Sequence, residues 1–118
     1  MKELTFKLST NDEVIMNVKT TYFMKEDVIN FTIDDNIYRF NITKCILNKE
    51  NKESMMNIDM LNKMIIYLYK DLNKEFQLPI DNNKLSNNDN YVKFEYEIPD
   101  NDIVNIIEIS YWQPTYLW

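Results

Sequence analysis

The stretch Val92-Lys93-Phe94-Glu95-Tyr96-Glu97-Ile98 alternates strictly between apolar and charged residues. Side chains of a β-strand point to opposite faces in turn, so this alternation predicts a strand with one buried face and one solvated face. A second strand is predicted from Val104 to Trp112, after the polar segment Pro99-Asp100-Asn101-Asp102. The two strands are therefore expected to form a long antiparallel hairpin.

The same period of two continues through the N-terminal half of the chain. It predicts strands at residues 4–8, 14–18, 20–24, 29–33 and 38–42, joined by short polar turns. Residues 76–80 give another strand, in which Pro79 marks a sheet edge or a strand end. Residues 81–90 are almost wholly polar and are predicted to form the one long loop.

Residues 54–74 fit two interpretations. Several apolar residues follow the i, i+3, i+4 spacing of a helix near residues 57–73, namely Leu61, Met64, Ile65, Leu68 and Leu72. Read with period two, the same segment gives a strand through Met56, Ile58 and Met60, and a second through Met64, Ile66 and Leu68. Periodicity does not choose between a helix and a hairpin here.

The chain has no glycine. Turn positions that need a positive φ must then go to asparagine or aspartate, the residues that tolerate this conformation next best. The candidates are Asn11, Asp12, residues 34–36, Asn62 and Asn73. The single cysteine, Cys45, is expected to be a half-buried strand residue beside Ile46 and cannot form an internal disulfide.

Length and composition predict a single domain over residues 1–118. The chain is 45% hydrophobic and 27% charged, which is enough apolar mass for one core. No run approaches a membrane span, and the N-terminal residues lack the apolar stretch of a signal peptide. We therefore expect a cytoplasmic protein that does not enter a membrane.

The residues that are absent argue against several classes of function. Without histidine the chain lacks the usual general base and the commonest metal ligand, and without glycine it cannot form a phosphate-binding loop. We expect no enzyme, no metal site and no cofactor. The net charge of −6 and the single arginine argue against nucleic-acid binding.

Candidate ligand-binding residues come from the aromatic side chains. Six tyrosines are predicted to line a barrel interior, where their hydroxyl groups would meet a small apolar ligand: Tyr38, Tyr67, Tyr69, Tyr91, Tyr96 and Tyr111. Tyr38, Tyr69 and Tyr96 are the ligand-binding candidates among them. The alternative is that side chains fill the interior of a small barrel and leave no room for a ligand. Arg39 alternates away from the apolar face if Tyr38 faces inward, and it either anchors an anionic ligand or forms a surface ion pair. Trp112 completes this set.

The last residues are unusually aromatic for a chain end. Residues 113–118 either fold back to plug the barrel or form a contact surface for a partner protein or a second copy. Tyr116 and Trp118 are the candidate partner-binding residues, and the chain is expected to be a monomer or a homodimer.

The order of strands and aromatic positions also carries a family resemblance. The segments concerned are 21–25, 31–35, 56–59, 69–73, 76–80, 92–98 and 106–111. Together they resemble the YwiB-like family of uncharacterised bacterial proteins with a calycin-type β-barrel. The resemblance implies strands over residues 54–74 and brings no activity with it. Two turns depart from the family pattern, since residues 48–50 replace an arginine-glycine turn and Leu72-Asn73 replaces a tyrosine-glycine turn.

These observations predict an all-β fold, a small antiparallel calycin- or lipocalin-like barrel with about eight to ten strands. The alternative is an α+β fold with one helix near residues 57–73. We expect a non-enzymatic barrel that binds a small apolar or amphipathic ligand or acts as an interaction module. The alternative function is an acidic inhibitor or immunity-type protein that binds a basic protein partner.

Overall fold

In a computed structural model that describes residues 2–88 and 90–111, eleven antiparallel strands form one sheet. No helix in these residues is long and apolar enough to cross a membrane. The strands are β1 (Lys2–Thr10), β2 (Glu13–Lys25), β3 (Val28–Ile33), β4 (Asn36–Asn41), β5 (Ile46–Glu50), β6 (Ser54–Asp59), β7 (Met64–Tyr69), β8 (Lys74–Pro79), β9 (Asp81–Asn88), β10 (Tyr91–Ile98) and β11 (Ile103–Tyr111).

The sheet is a meander that curls into a nearly closed barrel. Strands β1 to β8 follow one another, and β11 returns to pair with β1, with β10 and β9 beyond it. The order is therefore β8-β7-β6-β5-β4-β3-β2-β1-β11-β10-β9, and β8 and β9 are the two ends of the sheet. The predicted all-β barrel is confirmed, with eleven strands in the described residues.

The helix considered for residues 57–73 is wrong, and so is the α+β alternative. Strand β6, a turn and β7 occupy this segment, with Ile58 opposite Ile65 on the buried face. Leu61 and Leu72, at the ends of the apparent helical stripe, lie in turns and are 61% and 65% exposed. On β7 the residues that face inward are Ile65, Tyr67 and Tyr69. Met64, Ile66 and Leu68, which period two groups on one face, therefore lie on the outer face.

The long loop predicted for residues 81–90 is wrong as well. Residues 81–88 form β9, which pairs with β10 through main-chain hydrogen bonds. Asparagine and aspartate are unfavourable in strands, so local composition argued against a strand here. The ladder to β10 determines the conformation instead, and it requires little burial of the β9 side chains.

Two other boundaries differ from the prediction. Residues 14–18 and 20–24 belong to one continuous strand, because β2 pairs with β1 as far as Tyr22 and with β3 from Tyr22 onward. Cys45 lies in the turn before β5 with a φ of 54°, and it is buried, with 7% of its surface exposed.

Asparagine and aspartate take most of the turn positions that require a positive φ. Among the described residues eleven have a positive φ, and eight of these are Asn or Asp. Asn11 and Asp12, at 49° and 67°, make the two-residue hairpin turn that joins β1 to β2. Asn73 is confirmed in this role, whereas in the β6–β7 turn the positive φ falls on Lys63 and not on Asn62.

The barrel interior is filled by side chains at its middle. Phe40 on β4 and Phe94 on β10 are both fully buried, and their ring centroids lie 5.2 Å apart across the barrel. Phe6 on β1 similarly contacts Tyr38 on β4 at 5.0 Å. Since these pairs join strands that are not neighbours in the sheet, they hold the two walls of the barrel together.

Candidate functional site

One row of side chains on the inner face of the sheet runs from the core out to solvent. The strand registers place Tyr38, Lys49, Met56, Tyr67 and Phe76 side by side across β4 to β8. Tyr38 is 4% exposed and Phe76 is 52% exposed. The inner face of the barrel is therefore covered at β4 but open at β8.

The open part of this face carries a continuous apolar surface, which we call the aromatic shelf and define as Tyr67, Tyr69, Phe76 and Leu78. The rings of Tyr67 and Tyr69 lie 4.9 Å apart, and Tyr69 meets Phe76 edge to face at 5.8 Å. Tyr69 is 42% exposed and Leu78 is 38% exposed. Contiguous exposed apolar surface of this kind marks a binding surface more often than scattered apolar residues do.

The shelf ends at the free edge of the sheet. All six residues of β8 are exposed, and among the described strands β8 pairs only with β7. Main-chain N–H and C=O groups on the outer side of β8 therefore lack a strand partner there. Pro79 is the last residue of β8, so the prediction that it marks an edge or a strand end is confirmed.

The other end of these strands is closed by β9. Asn83 Nδ2 donates to the carbonyl oxygen of Met60 at 3.0 Å, and Asn87 Nδ2 donates to that of Ile42 at 3.4 Å. Both carbonyls belong to turns at the end of the β4–β7 strands opposite to Tyr69. The end with the β4–β5 and β6–β7 turns is therefore tied to β9.

The turns at this end of the strands carry more carboxylates than lysines. Asp34 and Asp35 lie in the β3–β4 turn, and Glu53 lies in the β5–β6 turn. Between these turns runs a groove of about 370 Å³ that also contacts Lys52. Asp71 in the β7–β8 turn adds another carboxylate at this end. These turns together hold four carboxylates and two lysines, Lys52 and Lys70, and Lys74 lies opposite Tyr69 on β8.

Two predicted ligand-binding residues lie in the packed core. Tyr38 and Tyr96 are each 4% exposed. Burial raises the pKa of both phenols. The Tyr96 hydroxyl accepts a hydrogen bond from Asn105 Nδ2 at 3.4 Å, and Tyr38 stacks on Phe31 at 5.0 Å. The structure does not bring either residue onto the shelf with Tyr69.

Arg39 lies on the outer face of β4, as its alternation with Tyr38 indicates. Its Nη1 donates to Glu50 Oε1 at 3.0 Å, and Lys70 Nζ donates to Glu50 Oε2 at 2.7 Å. The hydrogen bonds from Lys70 and Arg39 lower the pKa of Glu50. Arg39 is therefore separated from Tyr38, Tyr69 and Tyr96, which face inward.

Trp112, Tyr116 and Trp118 lie outside the described residues, and their roles stay predictions. Phe76 and Leu78 are the shelf residues that the sequence did not single out, whereas Tyr67 was among the tyrosines predicted to line the interior. Alternation assigns Phe76 and Leu78 to one face of a strand, and Pro79 indicates an edge. No sequence signal shows that this inner face is left uncovered.

Comparison with known proteins identifies no relative. No protein-family model matches the chain, and neither does any curated protein or solved structure. The YwiB-like resemblance stays a prediction. Within the described residues no group of three or more histidine, cysteine, aspartate and glutamate side chains is placed to hold a metal ion.

Proposed function

We propose that this chain is a non-enzymatic interaction module that binds an extended segment of a partner protein on the aromatic shelf and along the free edge of β8. The observation that carries the proposal is the contiguous exposed aromatic surface on the last strand of an open sheet. Binding of this kind needs no cofactor and no catalytic group.

Both parts of this surface favour association. An edge strand offers main-chain donors and acceptors to an added strand, and its side-chain pockets read alternate residues of the partner. Burying exposed apolar area contributes roughly 25 cal/mol per Å². Aromatic residues also dominate the binding energy of many interfaces. Tyr69 and Phe76, 42% and 52% exposed, are the expected anchors.

The border of the shelf indicates the chemistry of the partner. Four carboxylates, at Asp34, Asp35, Glu53 and Asp71, lie in the turns at this end of the strands against two lysines, so basic residues that flank an apolar segment would meet a net negative charge. The same acidic turns favour the second candidate function, an acidic inhibitor that covers a basic partner. In that case the shelf supplies the apolar anchor and the turns supply the selectivity.

The filled interior favours a surface interaction over a ligand held inside the barrel. Phe40 and Phe94 meet across the middle of the barrel, and Tyr38 and Tyr96 belong to the same buried core. A ligand of ordinary size would have to displace these side chains. The shelf accepts a partner without repacking.

The test compares two phenylalanines that are both more than half exposed, Phe76 and Phe23. Phe76 lies on the shelf, whereas Phe23 is 61% exposed on β2 and makes no ring contact in the described residues. Wild type, Phe76→Ser, Tyr69→Ser and Phe23→Ser are used to capture partners from a lysate of the source organism. The captured protein is then purified and its Kd is measured by calorimetry.

A partner of the shelf binds wild type and Phe23→Ser alike and binds Phe76→Ser at least about ten-fold more weakly, which corresponds to about 1.4 kcal/mol. Because all three positions are exposed, melting temperatures should change little. Equal affinity of a purified partner for Phe76→Ser, Tyr69→Ser and wild type would contradict the proposal.

A further inference from the structure

A second concave surface lies on the outer face of β3 to β7, away from the shelf. It is a groove of about 380 Å³, which is within the range of small-molecule sites. Its polar lining comes from Arg39, Asn41, Lys44, Asn48, Asn57 and Asp59. Its apolar lining comes from Val28, Ile46 and Ile66.

A directed chain of hydrogen bonds runs across the groove. The register aligns Arg39, Asn48 and Asn57 in one cross-strand row. Arg39 Nη1 donates to Asn48 Oδ1 at 2.9 Å, and Asn48 Nδ2 donates to Asn57 Oδ1 at 2.7 Å. Because a guanidinium group only donates, it fixes the orientation of the first amide and, through it, that of the second.

This direction leaves the groove with spare donors and with occupied acceptors. Nδ2 of Asn57 and Nζ of Lys44 have no hydrogen-bond partner among the described residues, and neither does Nη2 of Arg39. The carboxylate of Asp59 already accepts from the main-chain and side-chain nitrogens of Asn62, at 3.0 and 2.8 Å.

The charge of the groove is opposite to that of the whole chain. Two cations, Arg39 and Lys44, and one carboxylate, Asp59, line it, while the chain carries a net charge of −6. Glu50, which also pairs with Lys70, binds Nη1 of the Arg39 guanidinium group and leaves Nη2 available. A preorganised guanidinium suits a carboxylate because both groups are planar and bind through two parallel hydrogen bonds.

We infer that this groove binds an amphipathic carboxylate. The carboxylate lies over the row of Arg39, Asn48 and Asn57 and accepts from the spare donors at its two ends. The apolar body covers Val28, Ile46 and Ile66. This site is independent of the partner surface proposed above, because it lies on the outer face of the sheet and the shelf lies on the inner face. Failure of one proposal therefore leaves the other standing.

The experiment is a titration of the ¹⁵N-labelled full chain with octanoate below its micelle concentration, followed by NMR on the side-chain amides of Asn48 and Asn57. Acetate lacks the apolar body and 1-octanol lacks the charge, so the two probes separate the contributions. Arg39→Met removes the anchor, and Asn57→Asp places a carboxylate where the ligand would lie. Lys93→Met removes one positive charge from the outer face of β10 and is the matched control.

The expected result is saturable shifts of both amides with octanoate and binding at least ten-fold weaker for acetate and 1-octanol. Arg39→Met and Asn57→Asp should each weaken octanoate binding at least ten-fold, and Lys93→Met should change it less than two-fold. The inference is overturned if octanoate gives no saturable shift, if its shifts fall on Tyr69 and Phe76 instead, or if Arg39→Met and Lys93→Met bind it equally well.

Discussion

The contact between Phe40 and Phe94 leads to a quantitative prediction about the closure of the barrel. Both side chains are fully buried, and their centroids lie 5.2 Å apart with the ring planes at 67°. Each Phe→Leu substitution should cost about 1.5 kcal/mol of unfolding free energy, since a ring is replaced by a smaller apolar side chain. The double variant then stays folded if the chain has the usual stability of about 5–15 kcal/mol.

The informative quantity is the coupling between the two substitutions. An edge-to-face aromatic pair contributes about 0.5–1.5 kcal/mol beyond the area that it buries. Phe40→Leu with Phe94→Leu should therefore be less destabilising than the sum of the single changes by that amount. Urea unfolding followed by circular dichroism gives the unfolding free energies of wild type, the two single variants and the double variant.

The control pairs Phe40→Leu with Phe23→Leu, on the exposed outer face of β2. These two changes should add within about 0.5 kcal/mol, because the residues share no partner. If the Phe40 and Phe94 changes are also additive within that limit, β4 and β10 do not meet across the barrel and the closed interior is wrong.

Three further predictions concern other parts of the chain. Glu50→Gln should lower the unfolding free energy at neutral pH by up to about 1 kcal/mol. Because the folded pKa of Glu50 is depressed, this stability difference should persist above the ordinary glutamate pKa of about 4.3 and vanish as the pH falls through the folded pKa. Urea melts at a series of pH values measure it. Burial raises the pKa of the Cys45 thiol, so it should react with a maleimide at least ten-fold more slowly in the folded chain than in urea; equal rates would contradict its burial. Deleting residues 113–118 should either lower the melting temperature of a monomer or dissociate a dimer, and both roles expected for these residues are wrong if calorimetry and sedimentation show neither effect.

Alternation of side chains predicted much of the fold. Phe94 and Phe40 were assigned to inner faces because their neighbours are charged or polar, and both prove fully buried. The segment at 54–74 stayed ambiguous because its apolar residues satisfy two periods at once. Only the pairing of Ile58 with Ile65 selects the hairpin, and this pairing depends on long-range contacts with β5 and β8.

Two features could not be predicted from local sequence. Strand β9 is polar and rich in asparagine, and its conformation depends on the ladder to β10. The aromatic shelf depends on what lies opposite Tyr69 and Phe76, and alternation gives the face of a residue without showing whether another strand covers that face. Arg39 was identified as a surface residue, but its hydrogen bonds to Asn48 and Glu50 depend on cross-strand register.

The most direct test of the proposed interaction surface is site-specific photo-crosslinking in the source organism. A photoreactive phenylalanine analogue is placed at position 76 on the shelf or at position 23 on β2, where the exposed fractions are 52% and 61%. We expect one dominant crosslinked protein from position 76, lost when Tyr69→Ser is added, and no such product from position 23. The same products from both positions, or no product from position 76, would contradict a partner that binds on the aromatic shelf.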